Sequence, residues 1–209
     1  MMDEQVYSDL RVVFVADGYD ADFVRSAFRN IDRVTVLNAP RGEPLGALLN
    51  RGVAASETDI VAKIDDDDHY GPNYIKRAVA ALTFNEHEHV ALTGKALAFC
   101  HVERSGAFGM PSGGAQSNAL ADFVFGGTLL WSREKTSNRE FLPLPFGEDQ
   151  TFCRQLREDG LGIWSSDPYD YVYVRRGEEG GHAWSIADDA FERKLRVRPL
   201  GFDLSVAYS

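Results

Sequence analysis

Four consecutive aspartates, Asp65 to Asp68, follow an apolar stretch and precede a turn in "VAKIDDDDHYGP", Val61 to Pro72. Adjacent carboxylates repel, so a run of them raises the proton affinity of some members unless a cation intervenes. The stable arrangements divide the residues: some face water, some cap a following helix, and one or two hold a metal. An all-oxygen set selects a hard ion such as Mg2+ or Mn2+. Mg2+ typically keeps waters and takes one or two carboxylates plus substrate phosphates, which suits a nucleotide diphosphate held at a strand end. A solvated acidic turn that caps the helix after Pro72 accounts for the same residues without any ligand. The place of the run, after a buried strand, favours the metal.

The elements that must position this run alternate in type. "RVVFVA" (Arg11 to Ala16) is β-branched and apolar and is stopped by "DGYD", as a buried strand feeding a loop would be. Asp20 to Asn30 shows helical spacing, with Asp20 as the N-cap. "RVTVLN" (Arg33 to Asn38) reads as a second strand. Leu45, Leu48, Leu49 and Val53 mark one helix face, and "DIVAKI" (Asp59 to Ile64) is a third strand ending at the aspartates. Pro72 suits the first turn of a helix reaching Phe84. Strands alternating with helices predict an α/β fold, a mostly parallel sheet flanked by helices. In such sheets ligands bind beyond the carboxyl ends of the strands, which is where the run lies.

The second half has a different texture. "HVALTGKALAFCHVER" reads as one or two strands, and Ser105 to Asn118 as a polar Gly/Ser loop. "DFVFGGTLLWS" reads as two strand pieces around Gly126 and Gly127. Glu148 to Glu158 is a helix ended by Gly160. Short strands follow in "GIWS" and "YDYVYVRR", and Ile186 to Leu195 is a closing helix.

Composition narrows the function classes. The 209 residues are 44 % hydrophobic, enough for a core, and carry a formal net charge of −10. That balance disfavours nucleic acid or an anionic membrane as the main partner, since both need a basic face. The two cysteines, Cys100 and Cys153, lie outside metal-ligand spacing and suit a reducing compartment. No apolar run approaches a membrane span, and "MMDEQVYSDL" has no signal pattern, so the expected location is cytoplasmic.

"LNRGVAASETDIVAKIDDDDHYGPNYI" resembles the core of the family 2 nucleotide-sugar glycosyltransferases with the GT-A (Rossmann-like) fold. Asn50 and Gly52 match the family's Asn-x-Gly helix, and Asp65, Asp67, Asp68 and Pro72 its Asp-x-Asp-Asp stretch. "FGGTLLWSRE" is similar to its glycine-containing acceptor-side segment. "FGEDQTFCRQLREDG" is similar to its Glu-Asp helix, and "RRGEEGGHAW" to a His-containing C-terminal stretch. The matches keep family order over residues 5 to 185, which is more specific than any single motif. The resemblance implies one domain over residues 1–209, with a nucleotide-sugar-binding half at 1–93 and a smaller antiparallel acceptor-side half at 94–209.

The resemblance also implies roles. Asp67 becomes the principal ligand of Mn2+ or Mg2+, and Asp65 contacts the ribose or the metal. His182 lies near the metal or diphosphate. Asp149 becomes the catalytic base, with Glu148 beside it. Asp17, Asp65, Asp66, Gly126 and Gly127 face the donor, with Asp17 near the nucleobase. The implied activity is inverting, metal-dependent transfer of a sugar from a nucleotide-diphosphate-sugar to an acceptor hydroxyl. The alternative is a non-catalytic nucleotide-sugar or carbohydrate-binding module on the same scaffold.

Other readings attach to the same residues. Glu148 and Asp149 also suit a helix first turn. Gly126 and Gly127 also suit a tight bend. Lys63 can snorkel or pair with an aspartate. Arg175 and Arg176 can hold a phosphate or form surface ion pairs. The three tryptophans, Trp131, Trp164 and Trp184, read as core or rim. Against the family's usual opening, one strand–helix unit is missing near the N-terminus. The expectation is a fragment of a larger glycosyltransferase, the alternatives being another segment or a second subunit that completes the sheet, or a shortened and weakly active fold.

Overall fold

The computed structural model describes residues 4–18, 20–27, 33–144, 146–176, 188–197 and 202–208. Strand β1 (Val12–Asp17) leads through α1 (Ala21–Ala27) to β2 (Val34–Ala39), and these two strands pair in parallel in register from Val12–Val34 to Asp17–Ala39. The Asp20 carboxylate accepts the amides of Asp22 and Phe23 at 2.8 and 3.0 Å, so it caps α1 as expected. Helix α2 (Leu45–Ala55) returns the chain to β3 (Ile60–Ala62).

After β3 come the aspartates, then β4 (His69–Tyr70) and α3 (Tyr74–Thr83). The remaining strands are β5 (Val90–Gly94), β6 (Phe99–Val102), β7 (Ala107–Pro111), β8 (Ala119–Leu120) and β9 (Leu130–Ser132). Helix α4 (Glu148–Glu158) precedes β10 (Gly162–Ser165) and β11 (Tyr171–Arg175). Helix α5 (Asp188–Glu192), β12 (Leu195–Val197) and α6 (Leu204–Ala207) close the chain.

Among the described residues the strands form three sheets: β1-β2, β3-β9-β5-β10-β8, and β12-β7-β6-β11-β4. Parallel pairing joins β5 to β10 and β6 to β11, while β9, β8, β7 and β4 pair antiparallel with their neighbours. This is the mixed α/β class expected, but among the described residues antiparallel pairs outnumber parallel ones, so the sheets are not mostly parallel. No described pairing joins β1 to β3. Helix α2 spans the interval instead: Gly52 approaches Val15 of β1, while Leu49 and Val53 share an apolar cluster with Val61 of β3.

Several local expectations change. The Ser105 to Asn118 stretch is not all loop, because Ala107–Pro111 forms a hairpin with β6 and buries Phe108. Gly106, at φ 70°, makes the turn that returns the strand. The stretch before Gly126 joins no ladder; Gly126–Thr128 is a 3-10 turn, and only Leu130–Ser132 is strand. The closing helix is Asp188–Glu192 within the described residues, and Leu195 opens a strand against β7. No helix among the described residues is long and apolar enough to cross a membrane.

Two apolar clusters hold the site from below. One gathers Tyr70, Tyr74, Phe125 and Tyr171 around α3 and β11. The other packs Trp131, Phe141, Phe152 and Leu156 between the middle sheet and α4, with Phe141 stacked on Phe152 at 4.3 Å. Trp131 is therefore core, whereas Trp164 is half-buried against His87.

Candidate functional site

The aspartates begin where β3 gives out. The Lys63 amide donates to the Leu129 carbonyl at 2.8 Å, which carries the β3–β9 pairing one residue further. The Lys63 side chain is 4 % exposed, and its Nζ donates to both Asp65 oxygens, at 2.6 and 2.8 Å. Asp65 is also tied by its backbone: its amide donates to the Tyr70 hydroxyl at 2.9 Å, and that hydroxyl donates to the Gly127 carbonyl at 2.7 Å. One buried phenol thus joins the acidic loop to the glycine turn.

Each aspartate has its own environment. Asp66 is exposed. Asp68 is buried, accepting from the Tyr171 hydroxyl at 2.6 Å and the Val174 amide at 2.9 Å. Burial pushes its carboxyl up to about 7, against the pull of those two donors. Asp67 is half-exposed, with the Arg176 guanidinium 3.9 Å away; burial and then the Asp65 charge hold its carboxyl above the usual range. One oxygen from each of Asp65, Asp67 and Asp68 lie within 4.8 Å of one another. Three hard oxygens so placed fit a divalent ion that completes its shell with water or phosphate.

Glu148 and Asp149 open α4 after Gly147, whose φ of 76° makes the turn into the helix. Glu148 is buried; Asp149 is partly exposed and accepts the Gln150 amide at 2.7 Å. Burial raises the carboxyls of both, and the Lys63 charge opposes the rise in each. Lys63 feels the reverse: burial lowers its ammonium, but Asp65, Glu148 and Asp149 outweigh it and hold it above the usual lysine value. The acidic loop and the start of α4 therefore share one electrostatic neighbourhood.

Gly126 and Gly127 lie between the two groups. A Cβ at Gly126 would collide with the Asp149 carboxylate. A Cβ at Gly127 would lie 2.8 Å from Asp68 Oδ2, 2.9 Å from Asp65 Oδ2 and 3.0 Å from the Tyr171 hydroxyl. Absence of side chains here lets the two carboxylate groups approach the same turn from either side.

A second clamp sets α4. The Asn50 amide donates to the Phe141 carbonyl at 2.8 Å, and the Phe141 amide donates back to the Asn50 side-chain oxygen at 3.0 Å. One turn earlier on α2, a Cβ at Gly46 would strike the Leu142 carbonyl. Close packing of α2 on residues 141–142 thus fixes the segment that leads into Glu148 and Asp149.

The structure brings together Asp65, Asp67, Gly126, Gly127, Glu148 and Asp149. Asp17 sits at the end of β1, where its carboxylate accepts the Gly42 amide at 2.9 Å. His182 lies outside the described residues. Arg176 meets Asp67 and, at 3.5 Å, Glu103. Arg175 is buried with its guanidinium 5.3 Å from the Phe191 ring centre, so it is a core residue rather than a surface partner. Sequence reasoning missed Tyr70 and Tyr171 as site residues, and it set Asp68 in the motif without a role. Tyr70 and Tyr171 carry no periodic or motif signal that separates them from other core tyrosines.

Residues 3–96 match the model of glycosyl transferase family 2, a span that holds the aspartates and ends before α4. No curated protein matches the chain. Among solved structures, the chain is similar to the mannosyltransferase PcManGT from Pyrobaculum calidifontis in complex with GDP-Man and Mn2+. The TM-score is 0.62 at 16 % identity, covering 86 % of this chain and 52 % of that one. It is similar also to residues 1–349 of S. aureus TarS, with TM-score 0.61, 18 % identity, and 83 % and 54 % coverage. A third likeness is to GalNAc-T7 with UDP, GalNAc and Mn2+, at TM-score 0.59, 12 % identity, and 82 % and 38 % coverage. These likenesses show the fold, and the chain spans about half the length of the first two.

Proposed function

Residues 3–96 carry the glycosyl transferase family 2 pattern within a GT-A fold, and from that premise we propose that the chain is the catalytic part of a metal-dependent, inverting glycosyltransferase. It moves a sugar from a nucleotide-diphosphate-sugar to an acceptor hydroxyl. The observation that carries this reading is the placing of Asp65 and Asp68 against Gly127 and of Asp149 against Gly126, on one two-residue turn. The donor side and the base then face a single cleft.

Asp65, Asp67 and Asp68 would hold Mn2+ or Mg2+. Held there, such an ion would supply positive charge to offset the negative charge growing on the leaving diphosphate. Asp67 is the leading ligand, since Tyr171, Val174 and Lys63 engage the oxygens of the other two. Asp149 takes the proton from the acceptor hydroxyl as that oxygen attacks the anomeric carbon from the face opposite the diphosphate. Attack from that face inverts the anomeric centre. The base must lie within hydrogen-bond reach of the acceptor, and the partly exposed carboxylate at the start of α4 is open to one. Glu148, buried next to it in the chain, feels the Asp149 charge, which adds to the rise of its own carboxyl. Lys63 keeps positive charge between the two carboxylate groups.

The neighbours' ligands support a nucleotide-sugar donor and a divalent ion: GDP-Man with Mn2+ in one, UDP with Mn2+ in another. The test is a thermal-shift panel of UDP-, GDP- and dTDP-sugars, each with and without Mn2+. A shift that needs both a donor and Mn2+ supports the reading. Stabilisation by a donor that is the same without metal removes the metal assignment. No shift with any donor removes the donor class.

A further inference from the structure

Lys63 is a buried cation beside the acidic loop. Its side chain is 4 % exposed, and both hydrogen bonds from its Nζ go to Asp65, at 2.6 and 2.8 Å. It springs from the end of β3, where the Lys63 amide to Leu129 bond fixes its backbone and burial restrains its side chain. Asp65 is fixed as firmly by the Tyr70 hydroxyl, which holds its amide. The ion pair is therefore built from two anchored partners, unlike an exposed pair that samples many geometries.

This pair lies within the candidate metal site. Asp65 offers one of the three oxygens that lie within 4.8 Å of one another, and both its oxygens already accept from Lys63. The two oxygens of Asp68 accept from Tyr171 and Val174, both neutral donors. Asp65 is thus the cluster carboxylate whose charge is met by a buried cation. A divalent ion approaching the cluster meets a resident positive charge and a carboxylate already occupied.

We propose that Lys63 is a positioning residue that competes with the divalent ion for Asp65 and holds the affinity for free metal low. This rests on the proposed metal role of the cluster. The consequence is a division of labour. The bare protein binds the ion weakly through Asp67, and the diphosphate of the donor supplies the oxygens that Asp65 withholds. Metal and nucleotide then enter together, and binding of one is strongly coupled to the other. Release is coupled in the same way, so departure of the nucleotide diphosphate loosens the ion.

The test is a titration of Mn2+, without nucleotide, followed by the electron paramagnetic resonance signal of the free ion. It uses the full chain as parent, Lys63→Met, Lys63→Arg, Asp65→Asn and Lys63→Met/Asp65→Asn. Removing a buried charge this close to a divalent ion is expected to tighten Mn2+ binding about tenfold or more in Lys63→Met. Lys63→Arg keeps the charge and stays near the parent. Asp65→Asn alone weakens Mn2+ binding by about tenfold or more, because it leaves the buried Lys63 ammonium unpaired beside the ion. The gain of Lys63→Met disappears in the double variant, as a coupling through Asp65 requires.

Unchanged or weaker Mn2+ binding in Lys63→Met, folded by circular dichroism, overturns the inference. So does a gain that survives in the double variant. If Lys63→Met does not fold, Lys63→Gln, which removes the charge and keeps a hydrogen-bonding end, decides on the same terms: tighter Mn2+ binding supports the competition, and unchanged or weaker binding refutes it. Failure of the metal reading has a different signature. In that case neither the parent nor any variant binds Mn2+, even with UDP or GDP present, and the inference falls with it.

Discussion

Gly126 lies directly against Asp149: a Cβ on the glycine would occupy space taken by the carboxylate. The next residue, Gly127, stands in the same relation to Asp65 and Asp68, whose Oδ2 atoms would lie 2.9 and 2.8 Å from an added Cβ. Two adjacent backbone positions therefore set the separation of the candidate base from the candidate metal ligands. Their φ angles are ordinary, so glycine is required here for space rather than for backbone freedom.

Gly126→Ala should displace Asp149 with little effect on the acidic loop. Misplacing a reacting group by about 1 Å can cost about 100-fold in rate. The expected result is a fall of that order in kcat, with the donor Kd held within about threefold of the parent. Gly127→Ala should do the reverse and weaken Mn2+-dependent donor binding, since it presses on Asp65 and Asp68. Comparing kcat with donor Kd, by product assay and titration calorimetry, separates the two. Equal effects of both variants on both quantities would contradict the spacer role.

Asn50 acts on the site from a distance. Its amide makes a two-way clamp with the Phe141 backbone, and that segment leads into α4. Asn50→Ala leaves a partly buried amide and carbonyl without their partners, at a cost of about 1–3 kcal/mol. Chemical denaturation should show that loss. Transfer should also fall by about tenfold at saturating donor, because the start of α4 loses its tether. A loss of stability with unchanged kcat would make Asn50 a purely structural clamp.

The acidic run and the Glu-Asp helix were legible because their chemistry is local: like charges in sequence need a reason, and carboxylates in a helix first turn mark its start. The α4 bounds, Glu148 to Glu158, coincide with the expected helix for that reason. What holds these groups was not legible. The Tyr70 hydroxyl reaches Gly127 and the Tyr171 hydroxyl reaches Asp68, across 57 and 103 residues of chain. Such bonds depend on sheet register, which a single sequence does not display. Strand β7 was hidden in a different way, since "AFGMP" is short, contains Gly and Pro, and gains strand geometry from its pairing with β6 and β12.

Lys95 gives a prediction about stability away from the cleft. It is buried, donating to the Asp167 carbonyl at 2.6 Å, and burial lowers its ammonium to about 8 against the opposing pull of Asp167 and Asp170. The unfolded chain holds that proton more tightly, with a pKa of about 10.4. Between those values the unfolded state binds more protons, so stability rises with pH across the window from this group. Relative to Lys95→Met, the parent should gain up to about 3 kcal/mol between pH 8 and pH 10.5. Urea denaturation of both proteins across that range measures the difference. A flat difference would mean that the lysine keeps its charge in the fold throughout.

Activity and stability pull on Asp149 in opposite directions. Burial raises its carboxyl above the usual range, and the Gln150 amide and Lys63 only partly offset the rise. As a base it must be ionised, so kcat/KM should fall as pH drops through the raised value, with the limb above the ordinary aspartate range of about 4. Stability has the other sign. A carboxyl with a raised folded pKa contributes stability below its unfolded pKa and loses it as pH rises through the folded value. At neutral pH the ionised carboxylate is therefore a cost, and Asp149→Asn should raise the Tm while lowering kcat by about 100- to 10,000-fold. The Tm difference should vanish in acid, where both side chains are neutral. Donor binding, measured by calorimetry with Mn2+, should be retained in the variant. Undiminished turnover in Asp149→Asn would remove the base from this residue, and a lowered Tm at neutral pH would show that its ionised form is favoured by the fold.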